Sequence, residues 1–245
     1  MPPVHAALQY LQKLNLYNHE KPYQLYVTPR QDFDPNTQPV NNLEFETREG
    51  ILIQDLRQMH TKADINMCEF QVTPHESAVR EFSCTADIQA YRDETELLLQ
   101  RTLEAVHVKY YDTVLRKNVT FERDQIDSAD PLRIEGPARG LHNDITAKSG
   151  PEVISRYLSK EAKAEFLQRG YHIRIMKFWF EKQTPSEPFM FIMYDTKSGN
   201  HARFCPHVSF DNANAPEGAA PRKSIETRSI VITKDTNYIS ASTRN

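Results

Sequence analysis

The 245-residue chain has few cysteines, little net charge and no long apolar run, and each shortage removes a class of answer. Its three cysteines, Cys68, Cys84 and Cys205, are odd in number and lack metal-ligand spacing. They argue against a disulfide framework or zinc ribbon and for reduced thiols in the cytoplasm, acting as small buried hydrophobes. A formal net charge of −3 gives no electrostatic case for nucleic acid or an anionic membrane as partner. No apolar stretch approaches the roughly 20 residues that a bilayer-spanning helix needs. The start Met1-Pro2-Pro3-Val4-His5 lacks the basic and apolar regions of a signal peptide. With 39% hydrophobic and 26% charged residues the chain is a polar-leaning globular protein, and residues 1–245 suit one domain with a sizeable core.

Apolar spacing at Val4, Leu8, Leu11 and Leu14 predicts a short amphipathic helix at the N-terminus. Residues 28–45, rich in Pro, Asn and Asp, read as an irregular arm, so residues 1–45 form a helix and arm ahead of the main body. Asp87 to Glu104 is the clearest helix. A second helical stretch carries Pro151 in its first turn and Gly170 after its end, with Ser159 as a dividing point. Strands are expected over Met67–Val72, Ala105–Tyr111, Tyr171–Phe180, Phe189–Tyr194, Arg203–Phe210 and Ser224–Ile232, all β-branched or aromatic-rich and bounded by turn residues. Residues 234–245 read as a loose polar tail. Many strands with two main helices favour a mainly β fold, a sandwich or jelly roll with flanking helices, over a parallel α/β sheet.

Against that background, His142-Asn143-Asp144, a lone His207 and Arg222-Lys223-Ser224 stand in a suggestive order. On extended backbone, residues i and i+2 share a face, so His142 and Asp144 can reach one point. Read alone, the pair has an ordinary explanation, an aspartate capping a turn beside a surface histidine. His207, inside Phe204-Cys-Pro-His-Val-Ser-Phe210, lies in an apolar context where an imidazole needs a partner. His172, behind a helix end, and His201, beside Ser198-Gly199-Asn200, suit structural or exposed roles. Two imidazoles and one carboxylate make the facial triad of non-haem iron enzymes, which leaves coordination positions open. Arg222, Ser224, Glu226 and Arg228 share one strand face. A guanidinium fork with a nearby hydroxyl suits a carboxylate, and two arginines on a buried face require an anionic partner, either Glu226 or a dicarboxylate co-substrate.

The chain resembles the non-haem iron hydroxylase/desaturase family of fungal secondary metabolism, which also includes the cephem 7-hydroxylase component of cephamycin biosynthesis. The matching stretches include Ile51–Arg57, Tyr91–Leu99, Val106–Arg116, Gly136–Asp144, Thr184–Glu187, Phe191–Asp195, Arg203–Phe210 and Pro221–Arg228. The resemblance implies a double-stranded β-helix (jelly-roll) core, Fe(II) bound by His142, Asp144 and His207, and 2-oxoglutarate held by Arg222 and Ser224, with Arg228 as the alternative arginine. It also implies O2-dependent decarboxylation of 2-oxoglutarate coupled to hydroxylation, desaturation or cyclisation of a small molecule. Tyr111, Arg116, Arg139 and Trp179 are candidate substrate residues because they stand near matched blocks. One departure is clear: Ile175-Met-Lys-Phe-Trp-Phe-Glu181 runs almost directly into Thr184-Pro185, where the family carries an Asn-x-Trp-Arg-Pro block and a longer excursion. Either Lys177 and Trp179 stand where that asparagine and tryptophan would be, or the block is shortened and fused with the next. Two other functions use the same residues: a zinc hydrolase built on the triad, and a non-catalytic jelly-roll binding or subunit protein.

Overall fold

The computed structural model describes residues 3–25, 34, 39–119, 130–181, 186–199 and 201–235. Much of the expected arm, the Thr184-Pro185 step and the tail beyond residue 235 lie outside the described residues. In chain order the elements are β1 (Val4–Leu11), β2 (Phe45–Ile53), α1 (Ile65–Cys68), β3 (Phe70–Val72), α2 (Thr85–Thr102), β4 (His107–Lys117), β5 (Ile134–Glu135), α3 (Ser149–Tyr157), α4 (Lys160–Phe166), β6 (Tyr171–Glu181), β7 (Phe189–Asp195) and β8 (Lys223–Lys234).

Six strands form one sheet in the order β3-β7-β6-β8-β4-β5. Neighbours run antiparallel except for the short parallel pair β4–β5. A second, smaller layer begins with the β1–β2 ribbon. It continues through a parallel bridge from Gln9 to Gly140 and an antiparallel bridge from His142 to His207. The two layers enclose a cavity and make a jelly roll with one long wall and one short wall.

The long wall is covered on its outer face by α2. Ile88, Tyr91, Leu98 and Leu99 pack there on Met176, Phe178, Met190 and Ile225, all buried. On the inner face, α3 and α4 close one end: Ile154, Leu158, Ala162 and Phe166 meet Ile173, Ile175, Ile230 and Ile232. Ser159 divides the two helices, as its chemistry suggests, because its Oγ accepts from Ala162 N at 3.1 Å and caps α4.

Four expectations need correction. Residues 4–11 are a strand, with Ala6 and Leu8 buried on one face and His5, Ala7 and Gln9 exposed on the other. Val4 and Leu8 are separated by four residues, which fits one helical turn and two strand repeats equally, and pairing with β2 decides between them. The strand expected over Met67–Val72 is split, because Asp64 caps a helical turn at α1 and Glu69 at φ 63° reverses the chain before β3. Arg203–Phe210 is not a regular strand; it crosses from the long wall, where Cys205 N donates to Ile192 O at 3.0 Å, to the bridge at His207. Cys68 and Cys84 are exposed rather than buried, since they flank helix ends, and only Cys205 is partly covered.

Gly150 marks where α3 meets the sheet. A Cβ there would lie 2.6 Å from ring carbons of Tyr194, itself buried. Gly150→Ala should therefore lose about 1–2 kcal/mol of stability despite the better helix propensity of alanine. The expected observation is a lower urea midpoint with an unchanged slope.

Candidate metal centre

The inner face of the long wall changes character along its length. Beyond the isoleucine rows, the cross-strand register aligns Asp112, Arg228, Lys177 and Phe191, then Val114, Glu226, Trp179 and Phe189, then Arg116, Ser224 and Glu181. From these rows Lys177, Phe191, Glu226, Trp179, Phe189, Arg116 and Glu181 floor a cavity of about 1060 Å³, and the second layer roofs it with His142, His207 and Val208 among the lining residues. Alternation in β6 and β8 thus carries charged side chains inward on strands whose other face is core.

His142, Asp144 and His207 converge here, each offering one ligand atom, with all three atoms within 4.8 Å of one another. His142 Nε2 lies 3.8 Å from Asp144 Oδ1, and His207 Nε2 lies 3.3 Å from Asp144 Oδ2. The two rings tilt against each other with centroids 4.3 Å apart. Their backbones exchange hydrogen bonds, His142 N to His207 O at 3.1 Å and the reverse at 3.0 Å. Close packing sets this strip in place: a Cβ on Gly140 would meet the Phe45 ring at 2.5 Å.

The tautomers are fixed by what the other ring nitrogen faces. His142 Nδ1 lies 2.8 Å from Gly140 O, and His207 Nδ1 lies 3.1 Å from Cys205 O. A carbonyl only accepts, so each Nδ1 carries the hydrogen and each neutral ring keeps its Nε2 lone pair for the centre. Burial, and then the neighbouring His207, hold His142 below its ordinary value of 6.5. Burial alone would raise Asp144, but the charges of Lys177 and Arg228 hold it well below the usual carboxylate range.

Lys177 is the unexpected member. Its side chain is 3% exposed, and Nζ lies 2.6 Å from Asp144 Oδ2 and 3.2 Å from Glu226 Oε2. Nζ also donates to His207 Nε2 at 3.2 Å. The contact with Asp144 is an ion pair without hydrogen-bond alignment, and Asp144 Oδ2 is buried with no hydrogen-bond partner. A lysine inside an otherwise apolar strand run was the available signal in the sequence. Lys177 and Trp179 both face the cavity, and β6 and β7 form a direct hairpin pairing Trp179 with Phe189.

The remaining candidates fall in different places. Arg222 lines the cavity, with Nη1 2.9 Å from Glu181 Oε1 and its guanidinium over the Trp179 ring at 5.0 Å. Ser224 Oγ is buried without a hydrogen-bond partner. Arg228 is surrounded by acids: it donates to Asp112, and its Nη2 lies 3.6 Å from Glu226 and 3.7 Å from Asp144. Arg116 lines the cavity but is committed to Glu226 at 2.5 Å and Gly136 O at 2.8 Å. Tyr111 stacks on Tyr157 with centroids 4.5 Å apart, and Arg139 sits at the surface bound to Asp211 at 2.8 Å. His172 pairs with Asp195 at 2.6 Å, and His201 is exposed, so neither reaches the centre.

The His142 environment has a measurable sign. Its folded pKa lies below the unfolded one, so protonation is penalised in the folded state, and stability is highest above the unfolded value and falls as pH drops below about 6.5. His142→Gln should lose less stability than the wild type between pH 7 and pH 5 in denaturant titrations without added metal. Equal losses would contradict the assignment.

The family described as Oxidoreductase/YMDC permease-like domain matches residues 8–180 and 176–232. A 58-residue stretch is 43% identical to the hydroxylase/desaturase efuI of Hormonema carpetanum; it covers 24% of this chain and spans only 19% of that protein's length. Among solved structures, the iron and alpha-ketoglutarate-dependent endoperoxidase NvfI superposes with a TM-score of 0.71 at 17% identity, over 95% of this chain and 99% of that one. A single-residue variant of NvfI gives 0.73 at the same identity, over 95% and 98%. The structural likeness is one of fold. With a family match running through almost all of the described sheet, the chain belongs to the Oxidoreductase/YMDC permease-like domain family.

Proposed function

We propose that the chain is a single-domain Fe(II)/2-oxoglutarate-dependent oxygenase that hydroxylates, desaturates or cyclises a small organic molecule in fungal secondary metabolism. The observation that carries this is the convergence of two Nε2 lone pairs and a buried carboxylate, with both imidazoles locked from behind by backbone carbonyls. One ligand atom from each of the three residues lies within 4.8 Å of the others, near enough for a single cation to be held among them. Asp144 Oδ2 makes no hydrogen bond and is met only by charge, which is the setting of a carboxylate that a cation satisfies. His142, Asp144 and His207 would hold the iron.

Charge balance supports a dicarboxylate as co-substrate. Among the described residues around the centre, Arg116, Arg133, Lys177 and Arg228 face Asp112, Glu135, Asp144 and Glu226 in one ion network, four cations against four anions. A divalent ion alone would leave this interior with excess positive charge, and a dianionic ligand restores neutrality. Arg222 is the better anchor for its distal carboxylate. Its guanidinium faces the cavity with Glu181 and the Trp179 ring beside it, whereas Arg228 is enclosed by three carboxylates. Ser224, two residues along the same face, brings an unpartnered buried hydroxyl.

Iron with 2-oxoglutarate and O2 supplies the oxidising power to remove hydrogen from an unactivated carbon. The chain's own part is placement. The apolar end at Ile175 and Ile230 and the ring of Phe191 exclude water, while Trp179 gives a flat surface for a substrate in a cavity large enough for a small metabolite. No helix among the described residues is long and apolar enough to cross a membrane. Three free thiols fit the reducing interior of a cell, and we place the protein in the cytoplasm.

Anaerobic protein given Fe(II) and 2-oxoglutarate should develop a weak visible charge-transfer band, and His207→Ala should abolish it. A band that persists in His207→Ala would overturn the ligand assignment. In air, succinate should form from 2-oxoglutarate. Arg222→Gln should raise the KM for 2-oxoglutarate by about tenfold or more, the scale of one lost charge-assisted bond, while Arg228→Gln should act mainly on folding.

A further inference from the structure

Lys177 occupies the acceptors that a metal would need. Its Nζ touches Asp144 Oδ2 at 2.6 Å and His207 Nε2 at 3.2 Å, two of the atoms that the triad offers. The side chain is 3% exposed, with the Phe191 ring centroid 5.4 Å from Nζ, so the ammonium is held among these partners at the cavity wall. A second carboxylate is within reach. Glu226 Oε2 stands 3.2 Å from Nζ, buried and without a hydrogen-bond partner, while Oε1 of the same group is taken by Arg116 Nε at 2.5 Å.

We propose that Lys177 is a resident counter-ion that competes with the metal for the triad and transfers to Glu226 when the metal binds. The proposal rests on the metal-binding reading of His142, Asp144 and His207. An ammonium and a divalent cation repel strongly at a few ångströms in a poorly solvated site, so both cannot share Asp144 Oδ2. Without metal, the lysine is the nearer of the two cations, with Arg228, that neutralise the Asp144 carboxylate, and it keeps the site assembled. With metal, the unsatisfied Glu226 oxygen accepts the ammonium, which then stands beside the metal as a cation facing the cavity. Lys177 therefore sets metal affinity without being a ligand.

The test is calorimetric titration of the full chain with Mn(II) alone, which reads metal affinity independently of turnover. Lys177→Met, similar in length and uncharged, should bind Mn(II) about tenfold or more tightly than the wild type. Its metal-free form should melt at a lower temperature than the wild type, since Asp144 has lost its partner. Glu226→Gln keeps an acceptor for Arg116 but removes the charge that receives the lysine, and should bind Mn(II) more weakly than the wild type by a similar factor. It also serves if Lys177→Met does not fold. Equal affinities for wild type and Lys177→Met, or for wild type and Glu226→Gln, overturn the proposal; if His207→Ala then fails to bind, the triad stands and only the lysine's role is lost. Binding by Lys177→Met but not by the wild type supports the lysine's role and counts against an iron-dependent activity of the native chain. Binding by none of them overturns both readings.

Discussion

Everything at the centre depends on keeping the Asp144 carboxylate ionised in a largely buried setting. A lone buried carboxylate costs far more than a fold of this size can sustain, so cations must surround it. They come from Lys177 on β6 and Arg228 on β8, which the sheet register sets directly opposite each other. Those cations bring their own requirements, met by Glu226 and Asp112. One acid in the second layer thus dictates an ion network across three strands of the first. Removing one partner from such a network leaves an uncompensated charge, typically worth about 3–5 kcal/mol. The network is therefore tied to the site that it surrounds.

The layout of the walls follows from the same division. Where α3 and α4 cover the inner face, β6 and β8 present isoleucines, and where the cavity begins they present charge. The short wall supplies the imidazoles from two backbone segments joined by a single residue pair rather than from long strands. Irregular backbone gives freedom of direction, and the mutual hydrogen bonds between His142 and His207 remove that freedom again. Leu141 N donates to Gln9 O at 2.8 Å, which ties the strip to the β1–β2 ribbon, and the Gly140 backbone lies against the Phe45 ring.

Much of this was legible in the sequence where the signal is local. The helix at residues 85–102, the break at Ser159 and the shared face of Arg222, Ser224, Glu226 and Arg228 follow from capping chemistry and strand alternation. The jelly-roll core was expected from strand count and family resemblance, and the fold agrees. Residues 4–11 were misread because Val4 and Leu8 satisfy two periods at once, and only pairing with β2 breaks the tie. The role of Lys177 was not legible, since a lysine in a strand gives no sign of which carboxylate it will meet. That contact joins positions 144 and 177 through tertiary packing, as does the burial of Arg228 among three acids. Ordinary composition likewise gave no warning that Cys68 and Cys84 would be exposed beside helix ends.

If the proposed site is right, His142, Asp144 and His207 define one cation site that the chain's own lysine contests. Crystals of the full chain soaked in Mn(II), with anomalous diffraction data collected, test it most directly. The expected result is one strong anomalous peak bonded to both Nε2 atoms and to Asp144, with Lys177 Nζ moved onto Glu226. A peak elsewhere, or an occupied site with Lys177 still against Asp144, would contradict it.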